Sequence, residues 1–218
     1  MSFKELTKFP DVFFSTNEVE NALRRDDIKE IGFYILGPEG TNIEMASKKW
    51  ANHLKIDSKS KFYYYETPEI CANKAKLINH PNIFPIFVTC AVYYKLDTLF
   101  FLNPDCYTFI HHYYMKLDQM QLAAKRNTDK IPAEWVIASH PSPKSLILHL
   151  SNKIYETTSN SKAAQLCAEG MVDACITTET ARKLYNLKTL HIFGSAVMIF
   201  LFGTTEHGIN IMNRIVKQ

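Results

Sequence analysis

Five short segments of small polar residues stand out in the sequence: Gly37-Pro38-Glu39-Gly40-Thr41, Thr89-Cys90, Ser139-His140-Pro141-Ser142, Ser159-Asn160-Ser161 and Thr177-Thr178. Each follows an apolar run of strand length or opens a helical pattern. The start of a helix presents unpaired backbone N–H groups and a partial positive charge, so it suits a carboxylate or a phosphate. Arginine occurs only at Arg24, Arg25, Arg126, Arg182 and Arg214, outside all five segments. A small anion would therefore rely on backbone amides, hydroxyls and the nearby Lys95, Lys144 and Lys162. Helix capping accounts for Ser, Thr and Asn at the same places. By themselves, then, the segments define an anion-binding edge and no reaction.

Three side chains in or beside these segments are candidates for chemistry. His140 has an unperturbed pKa near neutrality and suits proton handling; the alternative is a histidine that bonds backbone at a strand end. Cys90 offers a thiol at a strand end, or a small buried filler. Glu179 opens a helix, where an acid caps as readily as it catalyses. His111 and His112 are adjacent in a strand-like run, so they face opposite sides and cannot readily chelate one ion. No HExxH or CxxC spacing occurs. Neither a metal nor a cofactor is expected.

The elements that must position these residues alternate in type. Ser15 and Glu18 have capping-box spacing ahead of an amphipathic stretch ending near Arg25. Ile31–Leu36, Lys61–Tyr65 and Ile83–Val88 read as strands. A helix with Ile43, Ala46, Trp50 and Leu54 on one face follows the first, and Thr67-Pro68-Glu69 opens a helix after the second. Beyond the turn-like Asn103-Pro104-Asp105, strands are expected over Tyr107–Met115, Trp135–Ser139, Ile154–Thr157, Asp173–Thr177 and Val197–Phe202. Helices are expected around Leu146, Ile147 and Leu150, from Ser159 or Asn160 to Gly170, and over Glu179–Tyr185. This order implies α/β architecture with mostly parallel sheet. The expected division is an N-terminal helical extension over 1–30, a first lobe over 31–103 plus 190–218, and a second lobe over 104–189.

Composition narrows the classes further. With 25 basic and 22 acidic residues among 218, the net charge of +3 forms no basic stripe, and no nucleic-acid role is expected. There is no apolar run of membrane-spanning length and no apolar core of a signal peptide, so a cytoplasmic protein without membrane association is expected. Five cysteines, an odd number, read as reduced thiols. The aromatic-rich Lys61–Tyr65 and His111–Tyr114 offer an interface for a possible homodimer.

Taken together the segments resemble the prephenate dehydratase family. Gly37–Thr41 resembles its opening motif, Ile110-His111-His112 its "IHH" strand, and Ser139-His140-Pro141 its "SHP" motif. Ser159-Asn160-Ser161-Lys162-Ala163-Ala164 resembles its "STxxAA" helix start, and Asp173–Leu187 the segment "DAAIASxxAAxxYGL". The motifs keep the family's order over Ile31–Gly203. The resemblance implies two α/β lobes with a cleft between them, similar to periplasmic binding proteins. The chain ends soon after the last strand, so no regulatory ACT domain is expected.

The departures carry information too. Where dehydratases have Thr-Arg-Phe, with a threonine that helps the ring hydroxyl leave, this chain has Val197-Met198-Ile199. Valine has nearly the same shape and no proton to give. Where they have Glu-Asn-Ser, this chain has Cys90-Ala91-Val92. The prephenate decarboxylases of bacilysin-type antibiotic pathways are a closer resemblance, through Ser139-His140-Pro141-Ser142-Pro143, Ile176-Thr177-Thr178-Glu179 and Leu201-Phe202-Gly203. That branch has His-Ala-Tyr at Cys90-Ala91-Val92 and Ser-Thr at Ser159-Asn160.

The resemblance implies a carbon–carbon lyase acting on a cyclic dicarboxylate. Loss of carbon dioxide from prephenate leaves an electron pair. With an acid beside the ring hydroxyl, water departs and the ring becomes aromatic. Without it, the pair moves along the ring alkene and takes a proton at carbon, and a dihydro-4-hydroxyphenylpyruvate results. On this reading Gly40, Thr41 and the amides after them hold one carboxylate. Ser159, Asn160 and Ser161 hold the pyruvyl end, with Ser139, Ser142, Thr177 and Thr178 close by. Val92, Val197 and Met198 line the less polar place where charge is lost, and His140, Cys90 and Glu179 are the catalytic candidates. Two other readings remain: a lyase or isomerase on another cyclic acid, and a binding module without turnover.

Overall fold

The computed structural model describes residues 14–101, 108–128 and 130–216. The turn expected at Asn103-Pro104-Asp105, Cys106, Tyr107 and the first thirteen residues lie outside these. The described chain forms two units, one made of residues up to Met115 and from Met198 onward, the other of Lys116–Val197.

In the first unit, α1 (Thr16–Arg24) begins at Ser15, whose side chain accepts from the Glu18 amide while Glu18 reaches back to the Ser15 amide. Its apolar side, Val19, Ala22 and Leu23, is fully buried. The strands β1 (Glu30–Leu36), β2 (Ser60–Tyr65) and β3 (Ile83–Cys90) run parallel, with β1 in the middle. Helices α2 (Asn42–His53) and α3 (Pro68–Lys76) make the crossovers that parallel pairing requires. They start at Thr41 and Thr67, each of which accepts an amide of the first turn. A short helix, α4 (Leu96–Phe101), follows β3.

The sheet is completed by β4 (Thr108–Lys116) and β10 (Val197–Thr204) in the order β2-β1-β3-β10-β4. The last helix, α7 (Glu206–Val216), buries Ile209, Ile211 and Met212. One face of the sheet packs Trp50 against Phe202, stacked at 4.0 Å, and against the edge of Phe33 at 6.0 Å. The other gathers Tyr34, Phe87, Leu99 and the small residues Cys71, Ala72 and Ala75 of α3. Gly203 lies opposite Phe87, and a Cβ there would fall against the Phe87 ring. Gly203→Ala is therefore expected to cost about 1–3 kcal/mol through overpacking, read as a lower Tm. An unchanged Tm would contradict that packing.

The second unit has its own five strands, ordered β7-β6-β8-β5-β9. They are β5 (Met120–Ala124), β6 (Ile137–Ser139), β7 (Ile154–Glu156), β8 (Ala174–Thr178) and β9 (Lys188–Gly194). Helix α5 (Asn160–Glu169) lays Ala163, Ala164 and Cys167 on Ala123, Ala138 and Cys175. Small side chains on both surfaces let helix and sheet approach closely. Gly170, at φ +80, ends the helix in the left-handed conformation that glycine adopts without strain. Helix α6 (Glu179–Leu184) follows β8 directly.

The expected α/β architecture is present, with four corrections. The sheets are mixed rather than mostly parallel: β10 is antiparallel to β3, and β5 is antiparallel to both β8 and β9. The chain passes from the first sheet to the second between β4 and β5 and returns between β9 and β10, each time without an intervening helix. Strand β4 belongs to the first sheet, where Phe109 joins the α3 cluster and His111 bonds to Trp50, although the sequence places it in the second lobe. Strand β9 belongs to the second sheet rather than the first. The helix expected around Leu146 is a single tight turn over Lys144–Ile147, closed by the Leu146 amide on the Pro143 carbonyl.

Candidate active site

The sequence-derived residues fall at strand ends and helix starts in each unit. In the first, β1 ends at Leu36 and the loop to α2 carries Gly40 and Thr41. Thr41 Oγ1 accepts from the Glu44 amide at 3.3 Å and donates to the Leu36 carbonyl at 3.1 Å, tying helix start to strand end. Gly40, at φ +89, donates its amide to Glu44 Oε2. Glu44 Oε1 accepts from the Tyr64 hydroxyl at 2.6 Å and pairs with Lys48. Burial works to raise the Glu44 pKa, but the bonds from Lys48, Tyr64 and Gly40 outweigh it and hold the carboxyl below its ordinary range. Glu44 was not among the sequence candidates, although Thr41 and Glu44 have the spacing of a capping box.

The turn after β3 is fixed by two bonds. The Ala91 amide donates to the Ile199 carbonyl at 3.0 Å, so Cys90 and Met198 stand at the same sheet end. The Tyr93 hydroxyl donates to Glu69 Oε1 at the start of α3, at 2.7 Å. Burial pushes the Cys90 thiol up, which keeps it protonated at neutral pH. Val92 is 54% exposed on this turn, and Val197, at the edge of the second unit, is 68% exposed.

In the second unit, Ser139 is fully buried and donates to the His140 carbonyl at 2.8 Å. The Ser142 amide donates to His140 Nδ1 at 3.2 Å, which leaves the ring proton on Nε2. Burial lowers the His140 pKa, against a smaller upward pull from Glu156. Neutral His140 is thus favoured in the folded chain. The resulting stability is full above the unfolded pKa of about 6.5 and is lost as pH falls toward the lowered folded value. His140→Gln is expected to flatten the stability profile between about pH 7 and 5, measured by urea unfolding. An identical profile would contradict this burial.

Beside these residues, Ser159 caps α5 by accepting the Lys162 amide at 3.0 Å. Buried Thr177 donates to the Asn160 carbonyl at 2.9 Å, which joins the end of β8 to the start of α5. Asn160 Oδ1 is buried and has no hydrogen-bond partner among the described residues, while Ser161 is exposed. Thr178 caps α6 by accepting the Ala181 amide. Glu179 pairs with Lys183 one turn on, and its amide donates to the Gln119 carbonyl. These contacts give Glu179 a helix-start role, and no hydrogen bond or ion pair among the described residues joins it to His140. Buried Gln121, bonded to Thr189 and Gln119, was also not foreseen, since nothing in its neighbourhood in sequence marks it.

Two five-stranded mixed sheets, each with helices opening at strand ends, define a two-unit α/β protein of the periplasmic-binding type. The periplasmic VFT2 domain of Bordetella pertussis BvgS has that fold, with a TM-score of 0.53, 14% identity and coverage of 94% of this chain and 93% of that one. No family model matches the sequence. Curated relatives do. The prephenate decarboxylase of Bacillus amyloliquefaciens is 30% identical over 199 residues, 82% of this chain and 89% of the relative. The Bacillus subtilis protein of the same name has the same identity and coverage. The chain belongs to the family of the prephenate decarboxylases.

Proposed function

We propose that this chain is a prephenate decarboxylase that removes carbon dioxide and keeps the ring hydroxyl, in the cytoplasm and in the biosynthesis of an antibiotic. The observation that carries the reading is the 30% identity to two prephenate decarboxylases over most of both chains. Valine in place of the dehydratase threonine supports retention of the hydroxyl, because Val197 has no proton to give.

The roles are assigned from the match of each segment to the family's motifs, and the bonds within each unit narrow which groups are free to act. Gly40 has already given its amide to Glu44. One substrate carboxylate is therefore assigned to the next first-turn amides of α2, those of Asn42 and Ile43, with Thr41 beside them. The pyruvyl end is assigned to the start of α5, with Ser159, Asn160 and Ser161. When the carbon–carbon bond breaks, carbon dioxide leaves and its electron pair moves along the ring alkene to a ring carbon, which takes a proton. His140 is the assigned donor: it takes up a proton from solvent, gives it to the ring carbon as the imidazolium and returns to the neutral form that its burial favours. Val92, Val197 and Met198 supply apolar surface where the carboxylate loses its charge.

Prephenate supplied to the purified protein should be consumed with release of carbon dioxide, well above a protein-free control. Binding without turnover would replace the enzyme reading by a binding module. A second reading, a lyase or isomerase on another cyclic acid, is favoured by the departures of Cys90 and Asn160 from the decarboxylase pattern. Turnover of a related cyclic acid and not of prephenate would establish it.

A further inference from the structure

We infer that Glu44 is a positioning residue for this site: its own carboxylate, in place of the substrate's, holds the Gly40 amide and fixes the loop that receives the substrate. The inference rests on the reading that the Gly37–Thr41 loop belongs to the substrate site.

Three donors from separate parts of the first unit converge on a side chain that is only 4% exposed. They are the Gly40 amide from the loop, the Tyr64 hydroxyl from β2 and the Lys48 ammonium one turn along α2. Helix capping does not account for the set. Thr41 already caps α2, and a capping-box glutamate would reach back to the Thr41 amide. Glu44 passes that amide, takes the one before it and turns its other oxygen to the neighbouring strand.

Gly40 depends on this bond. It sits at φ +89, and beyond its two chain neighbours no atom of the described residues lies within 4 Å of where its Cβ would be. That side of the loop is open, and the hydrogen bond to Glu44 ties the Gly40 amide to α2. A resident carboxylate on the amide also repels a second one. The substrate's anion is thereby directed to the amides further into α2.

Glu44→Ala removes the carboxylate and leaves an amide, a phenol and an ammonium around a space that formate fits. The expected result is a loss of roughly tenfold or more in kcat/KM on prephenate, mostly in KM, in a protein that is folded at the assay temperature although its Tm is lower. Added formate should restore activity saturably, and chloride at equal ionic strength should not. Glu44→Gln, which keeps an acceptor for Gly40, should retain most of the activity, and it serves as the test protein if the alanine variant does not fold. An activity within about twofold of the parent in Glu44→Ala, or a loss that formate does not relieve, would overturn the inference.

A readout without substrate separates this from the proposed activity. The Gly40 amide proton should shift upfield and exchange faster in Glu44→Ala, and return with formate, in proton–nitrogen spectra. An unmoved Gly40 resonance overturns the role of Glu44 whatever the substrate is. A normal shift in a protein that ignores prephenate would overturn the decarboxylase reading alone.

Discussion

Val197→Thr is expected to give this protein a second product, phenylpyruvate, from prephenate. The substitution adds one hydroxyl at nearly constant shape, at the position that the proposed function matches to the dehydratase threonine. General acid catalysis by a positioned group contributes about 10²–10⁴-fold, so even a poorly placed donor should raise phenylpyruvate at least about tenfold above the parent. Val197 is 68% exposed, which keeps the change in stability small and isolates the chemistry. Product analysis by mass and ultraviolet absorbance checks it. An unchanged product spectrum would mean that the missing threonine hydroxyl alone does not set the outcome. The change from Glu-Asn-Ser to Cys90-Ala91-Val92 would then matter as much.

The largest expected loss of stability comes from Trp50→Ala. Trp50 is fully buried on α2, stacked on Phe202 and edge-on to Phe33. Its indole N–H donates to His111 Nδ1 at 3.1 Å, which leaves His111 Nε2 facing Glu20 of α1 at 3.4 Å. Removing the indole opens a cavity among three elements and strips His111 of its donor. Deleting a buried tryptophan costs about 3–5 kcal/mol. At about 2–4 °C per kcal/mol for a chain of this size, Tm should fall by roughly 6–20 °C. Trp50→Phe, which keeps a ring on Phe202 and loses only the N–H, should cost far less. A fall under about 3 °C in the alanine variant would contradict the central place of Trp50 in this core.

Much of the architecture was legible because its signals are local. Ser15 with Glu18, Thr41, Thr67-Pro68 and Gly170 all mark helix ends by their own chemistry, and each occupies the position its type indicates. Strand β5 was not legible. Met120–Ala124 has two alanines and a glutamine and little strand preference, and it is a strand because β8 and β9 flank it on both sides. The same holds for the sheet to which β4 belongs, since Trp50 is 61 residues away from His111 in sequence.

The candidate site divides the same way. Residue types at strand ends pointed to Ser139, His140, Ser159 and Thr177, and the structure bonds these into two local groups within one unit. Their spacing did not reveal that Glu44 occupies the Gly40 amide, because Tyr64 and Gly40 meet it only once β1, β2 and α2 are assembled. Cys90 and Glu179 looked reactive by type. Burial of the first and the Lys183 pairing of the second are properties of the fold that type alone does not carry.

The most direct test of hydroxyl-retaining decarboxylation is the identity of the product formed from prephenate by the purified protein, followed by proton NMR and mass. The expected product has lost carbon dioxide, keeps the ring hydroxyl and shows alkene and aliphatic ring protons, formed faster than in a protein-free control. Phenylpyruvate with aromatic protons, formed at a protein-dependent rate, would contradict it.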